Sequence, residues 1–95
     1  MKTAELTGPA LDWAVHVALH GECEGYAEHE YSIYWANGGP IIEREKISVL
    51  APVRGLWRSR KNGRTQYGPT PLIAAMRCYV ASKLGDEVEI PQELL

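Results

Sequence analysis

Several things are scarce or missing in these 95 residues, and each narrows what the chain can be. Only two cysteines occur, Cys23 in a polar stretch and Cys78 in an apolar one, and their spacing frames no disulfide scaffold. Free thiols in a reducing compartment are therefore expected. No run of about 18 apolar residues exists, and the opening MKTAELTG lacks an apolar segment followed by a small-residue cleavage site. The expectation is a soluble protein that makes no membrane contact and is not secreted. Short motifs with known chemistry are missing as well: there is no G-x-S-x-G, no H-E-x-x-H, no P-loop and no dinucleotide fingerprint. Ser32, Ser48, Ser59 and Ser82 have no local partner that would mark a nucleophile, and Glu43 and Glu45 flank Arg44 without sharing a helical face. Neither catalysis nor a cofactor is expected. The net charge of −2 gives no overall pull toward nucleic acid.

What is present is a globular composition, 45% apolar with three Trp and five Tyr and no low-complexity tract. It reads as one domain, residues 1–95, with room for two layers and little else. The chain is organised around Gly68–Ile90. Thr70 is a helix N-cap, Pro71 suits the first turn, and Gly85 after Lys83 and Leu84 is a C-cap, so the spacing predicts a helix over Pro71–Leu84. Leu72, Ile73, Met76, Tyr79, Val80 and Leu84 share one arc, which should face a core. The other side carries Ala74, Ala75, Cys78, Ala81 and Ser82. A helix apolar or small nearly all round is covered on both sides. The expectation is a middle layer, with a sheet on one side and a second helix or a second subunit on the other. Ala74, Cys78, Ala81 and Ser82 are then the candidate contacts of a homodimer.

A first helix should run from about Gly8 to His20, entered through Thr7 and Pro9, with Leu6 stapled onto Leu11. Its Ala14 and Ala18 are candidates to meet the small side of the last helix. The connector GECEGYAEHE reads as a solvated acidic loop. Tyr31, Ile33 and Trp35 alternate like a strand, while a turn at Asn37-Gly38-Gly39 leads into a helix near Pro40–Glu45. Ile47–Ala51 should form a strand that stops at Pro52. Asn62-Gly63 is a two-residue hairpin turn, giving strands Val53–Arg60 and Arg64–Tyr67. Val88, Ile90 and Leu94 of the tail should close on the core. The fold class that follows is α+β, a three-stranded antiparallel sheet covered by helices.

Two surfaces hold candidate binding chemistry. Arg54, Arg58, Arg60, Lys61 and Arg64 lie within eleven positions with Trp57 between them and no acid, a pattern that can track phosphates and stack a base. It equally suits a solvated hairpin whose arginines guard an edge strand and whose Trp is core, and the alternation places Trp57 and Ser59 opposite the arginines. His16 and His20 share a helical edge with Asp12, and Cys23 and His29 follow, which makes His16, His20 and Cys23 candidate metal ligands. Surface histidines without metal, and a Cys78 that simply packs, are the plainer alternatives. Gly38-Gly39-Pro40 can present amides to an anion, or merely reverse the backbone.

The stretches KTAELTGPALDWAV, WANGGPIIEREKI and GPTPLIAAMRCYVASKLGDEVEIP, in that order along the chain, closely resemble the NinX-like proteins of lambdoid phages and prophages. The resemblance implies a small phage α-β-α sandwich-like fold and the host cytoplasm, and it brings no catalytic residues. Together the readings point to a phage or prophage accessory protein that binds a host or phage protein, with nucleic-acid binding at residues 54–64 as the alternative.

Overall fold

A computed structural model describes every residue from Met1 to Leu95. Three helices, α1 (Gly8–His20), α2 (Trp35–Glu45) and α3 (Pro71–Leu84), accompany the strands β1 (Ser48–Val53), β2 (Leu56–Lys61) and β3 (Arg64–Gly68), with α3 packed on one face of the sheet and α1 and α2 packed on α3. The sheet is an antiparallel meander of order β1-β2-β3. The fold is therefore α+β, and α3 is its middle layer.

The ends of α3 form as their residues dictate. Thr70 Oγ1 accepts from the Ile73 amide at 3.1 Å, and the Gly85 amide reaches Ala81 O at 3.1 Å with φ at +91°. Along its length Leu72, Ala74, Ala75, Met76, Cys78, Tyr79, Val80 and Ala81 are all buried, which accounts for a helix that carries so few charges. The allocation of its two sides differs from expectation. The small face meets the sheet: Ser59 Oγ of β2 donates to Ala74 O, Cys78 Sγ lies 3.9 Å from Arg64 O, and Arg64 Nη1 donates to Ala81 O at 3.3 Å. The large face meets the other helices, with Tyr79 Oη donating to Ala18 O of α1 at 3.4 Å. Small residues are needed on the sheet side because strand backbone comes so close. A Cβ at Gly68 would lie 2.7 Å from the Ala74 amide nitrogen. Ala18 thus meets a large residue, Tyr79, and not the alanine row.

α2 starts five residues earlier than the glycines suggest. Tyr34 O accepts from both Asn37 and Gly38 amides, at 3.0 and 3.1 Å, so the first turn is closed before Pro40 removes a donor. Gly38 is buried inside this helix and makes no turn. A Cβ there would sit 2.5 Å from Tyr31 O and 2.6 Å from Leu72 Cδ1, so the glycine exists for close packing onto α3. The alternating residues Tyr31, Ile33 and Trp35 make no strand: Tyr31–Ile33 is a turn, in which the Ser32 amide donates to Asp12 Oδ1 of α1 at 2.9 Å, and Trp35 opens α2. At the start of α1, Thr7 occupies the cap position in extended backbone without a side-chain capping bond.

The Asn62-Gly63 hairpin forms with φ of +51° and +79°, the mirror-image turn that suits strand twist. A second hairpin was hidden in the expected strand Val53–Arg60: Arg54 and Gly55, at φ +58° and +83°, join β1 to β2. β1 runs on through Pro52, tolerated because β1 is an edge strand whose register slips between Leu50 and Val53. One buried cluster unites Leu6, Leu11 and Val15 of the N-terminal part with Met76, Tyr79 and Val80 of α3 and Val88 of the tail. Leu94 is buried too, and Ile90 packs against the cluster.

Candidate binding surface

Strand alternation divides the sheet into two chemically different faces. On the face toward α3 lie Trp57, Ser59 and Lys61 of β2, paired with Gly68, Gln66 and Arg64 of β3. Most of the polar groups on this face are used. Lys61 Nζ donates to Glu45 O at 3.0 Å and lies 3.5 Å from Glu45 Oε1, tying β2 to the end of α2. Arg64 caps the end of α3 through Ala81 O and Asp86 Oδ1, both at 3.3 Å. Trp57 is half-buried here and offers no free stacking platform. The basic cluster read from the sequence is thereby split, and Lys61, Arg64 and Trp57 act within the fold.

The opposite face has no covering layer. Across it Leu50, Arg58 and Tyr67 stand in one row and Ser48, Arg60 and Thr65 in the next. Val53 and Leu56 border it, and a groove at this end is lined by Val53, Arg54, Leu56, Arg58 and Tyr67. Val53, Leu56 and Tyr67 are about half exposed or more, at 60%, 47% and 49%. Arg54, Arg58 and Arg60 form none of the molecule's ion pairs, and Arg58 Nε is shielded from water without an acceptor. Cations set among exposed aliphatic and aromatic side chains are the composition of an interface core. A feature of the sequence underlies this: from Lys46 to Gly85 there are eight basic residues and no acid. The remaining positions hold all twelve acids and only two bases, Lys2 and Arg44. A net charge of −2 thus conceals a cationic half and an anionic half.

The anionic half has its own concavity, about 230 Å³, where the start of α1 meets the connector, lined by Asp12, Tyr26, Glu30 and Ile33 among others. Asp12 is 5% exposed, and burial pushes its carboxyl above the usual aspartate value against the opposing Ser32 hydrogen bonds, with Glu30 adding a like charge. No cation of the chain pairs with either carboxylate. Tyr26, Ile33, Tyr34 and Trp35 are all more than half exposed around this end. The sequence shows Tyr26 among Glu22, Glu24, Glu28 and Glu30, with Ile33, Tyr34 and Trp35 just after them, but no local pattern marks them as one surface.

The remaining expected sites fare differently. Ala74, Cys78 and Ala81 are covered by the chain's own sheet, at 0%, 0% and 2% exposure, and Ser82 turns its hydroxyl to Tyr79 O at 2.7 Å. That face has no room for a second subunit, so the expected dimer contact through α3 is corrected to an intramolecular one. His16 and His20 do come together, ring centroids 4.6 Å apart, but Cys23 does not join them. Its thiol points to Gly25 O at 3.6 Å and its carbonyl accepts from Trp13 Nε1 at 3.1 Å. Nowhere do three His, Cys, Asp or Glu side chains meet in a metal-binding group, so the set His16, His20 and Cys23 is corrected to a histidine pair. Burial raises the Cys78 thiol above its usual value, so it stays neutral.

Comparison with known families places this arrangement. The family model described as Bacteriophage P22, NinX matches residues 2–83, from the N-terminal turn to the last turn of α3. The chain belongs to the phage NinX family. No curated protein matches it significantly. The matched region of this NinX-family chain includes both the whole sheet and the acidic concavity. No helix in it is long and apolar enough to cross a membrane.

Proposed function

We propose that this NinX-family chain is a non-catalytic phage accessory protein that acts in the host cytoplasm by binding another protein, and that the outer face of the sheet makes the contact. The observation that carries the reading is the row Leu50, Arg58, Tyr67, with Arg54, Arg60, Val53 and Leu56 beside it: large apolar and cationic side chains, all exposed except the half-buried Arg58, whose cations have no charge partner in the chain. Tyr and Arg embedded in apolar surface are the residues that dominate protein contacts. Against catalysis, the buried hydroxyl of Ser59 is committed to Ala74 O and the thiol of Cys78 is held neutral, so the two buried nucleophile types of the interior serve packing.

The test is capture from phage-infected cells with tagged wild type and with the double variant Arg58→Glu, Arg60→Glu, both checked for equal melting temperature. A protein recovered with wild type and lost with the variant is the expected result. Identical recoveries from both would sink the reading. A second reading, nucleic-acid binding, is favoured by the three free arginines alone. It predicts oligonucleotide binding whose salt dependence has a slope of roughly −2 on a single strand, about 0.7 for each of three phosphates contacted. Anisotropy of a labelled 20-nucleotide strand, at about 50 mM salt to maximise so few contacts, decides between them.

A further inference from the structure

The molecule carries two unsatisfied surfaces of opposite sign, and each offers what the other lacks. On the cationic half, Arg54 stands at the tip of the β1–β2 hairpin, exposed, in left-handed backbone at φ +58°, where asparagine or glycine is the usual occupant. A long cationic side chain kept at such a position is oriented outward by the turn itself. On the anionic half, the carboxylates of Asp12 and Glu30 face a concavity of about 230 Å³ closed on one side by the exposed ring of Tyr26, with no cation of their own chain. A buried carboxylate without a counter-charge is costly, and a guanidinium is the group that satisfies it in both charge and geometry. The ring of Tyr26 adds a face on which a guanidinium stacks.

Resting on the reading of the outer sheet face as the contact surface, we propose that the protein seated on it is a second copy of this chain. Arg54 of one copy enters the cavity lined by Asp12, Glu30 and Tyr26 of the next, while Leu56 and Tyr67 pack against the exposed Ile33 and Trp35. Donor and acceptor surfaces differ, so the contact is head-to-tail and leaves one surface of each kind free at the ends unless a ring closes. A standard contact takes about 800 Å² from each partner, and one molecule exposes 5621 Å². The two halves of the contact together take well under half of that surface. The eight-to-none excess of bases over acids between Lys46 and Gly85, against twelve acids elsewhere, steers the two halves together and makes the association weaken with salt.

Sedimentation velocity over a concentration series tests this with two charge-reversed variants, Arg58→Glu with Arg60→Glu, and Glu28→Lys with Glu30→Lys. Wild type should sediment above the 10.6 kDa monomer at low salt and return to it near 1 M, where screening extends over only about 3 Å. Each variant alone should be monomeric. Their equimolar mixture should re-associate, because the acidic end of the first still fits the sheet of the second, and the reversed pair fits as well. Arg54→Asn, which suits the turn better and so keeps the fold, should weaken wild-type association at least tenfold. Wild type that is monomeric throughout, a mixture that stays monomeric, or unchanged association in Arg54→Asn would each overturn the head-to-tail contact. A monomeric wild type that still captures another protein through Arg58 overturns only this contact and leaves the binding role of the sheet standing.

Discussion

The two faces of one three-stranded sheet are built from alternate residues of the same strands, yet they behave oppositely. Toward α3, Ser59, Lys61 and Arg64 each find a partner within the chain; on the outer side, Arg58 and Arg60, one residue removed, find none. The difference teaches that a run of basic residues is not one site. Parity along β2 decides which cation holds the fold and which is left without a partner in the chain, because successive side chains point to opposite faces.

Mutations break or sharpen that contrast. The largest effect is expected for Gly68→Ala on the inner side, where the new Cβ would meet the Ala74 amide nitrogen at 2.7 Å and backbone on both sides has nowhere to move. A loss of about 3 kcal/mol, or over 10 °C in Tm for a domain this small, should appear in thermal melting. Next comes the pair Arg64→Ala and Arg60→Ala. Removing Arg64 frees two acceptors at the end of α3 and should cost about 1 kcal/mol after allowance for its half-exposed head. Removing Arg60 should change stability by less than about 0.5 kcal/mol. Equal losses in urea titrations of the two variants would erase the distinction between the faces.

The smallest effects are read by pH. Glu45 sits beside Arg44, Lys61 and Lys83, and the hydrogen bond from Arg44, helped by the two lysines, holds its carboxyl below the usual glutamate range. Its contribution is present above the unfolded-state value and is lost as pH falls through the folded-state value. Glu45→Gln should therefore cost up to about 1 kcal/mol at neutral pH and nothing in strong acid. Asp12 runs the other way. Its folded-state value is raised, chiefly by burial, so its contribution is intact below the ordinary aspartate value and is lost as pH rises through the raised one. Asp12→Asn keeps an acceptor for the Ser32 amide and should flatten that decline, seen as a Tm that no longer drops with rising pH in the window just above the ordinary aspartate value.

Much of the architecture was legible because its signals are local. Thr70-Pro71 and Gly85 mark α3, Asn62-Gly63 marks a hairpin, and a helix without charge has to lie between layers. What escaped depends on contacts far apart in sequence. Gly38 and Gly39 look like a turn, and only the carbonyl of Tyr31 and the side chain of Leu72 reveal that Gly38 is a packing position inside a helix. Arg54-Gly55 is no favoured turn dipeptide, so nothing local marks the boundary between β1 and β2, and Pro52 reads as a strand end although β1 runs through it. The basic cluster was visible as composition. Its division between structure and surface follows from register and from where α3 ends, and neither is written locally. The acidic cavity was illegible for the same reason, since Asp12 and Glu30 meet only when α1 docks beside the connector.

Arg54 occupies backbone that disfavours any side chain with a Cβ by roughly 1–2 kcal/mol. A search for heat-resistant variants would select its replacement among the first, and the variants it returned would be sturdier proteins without the anchor of the proposed contact.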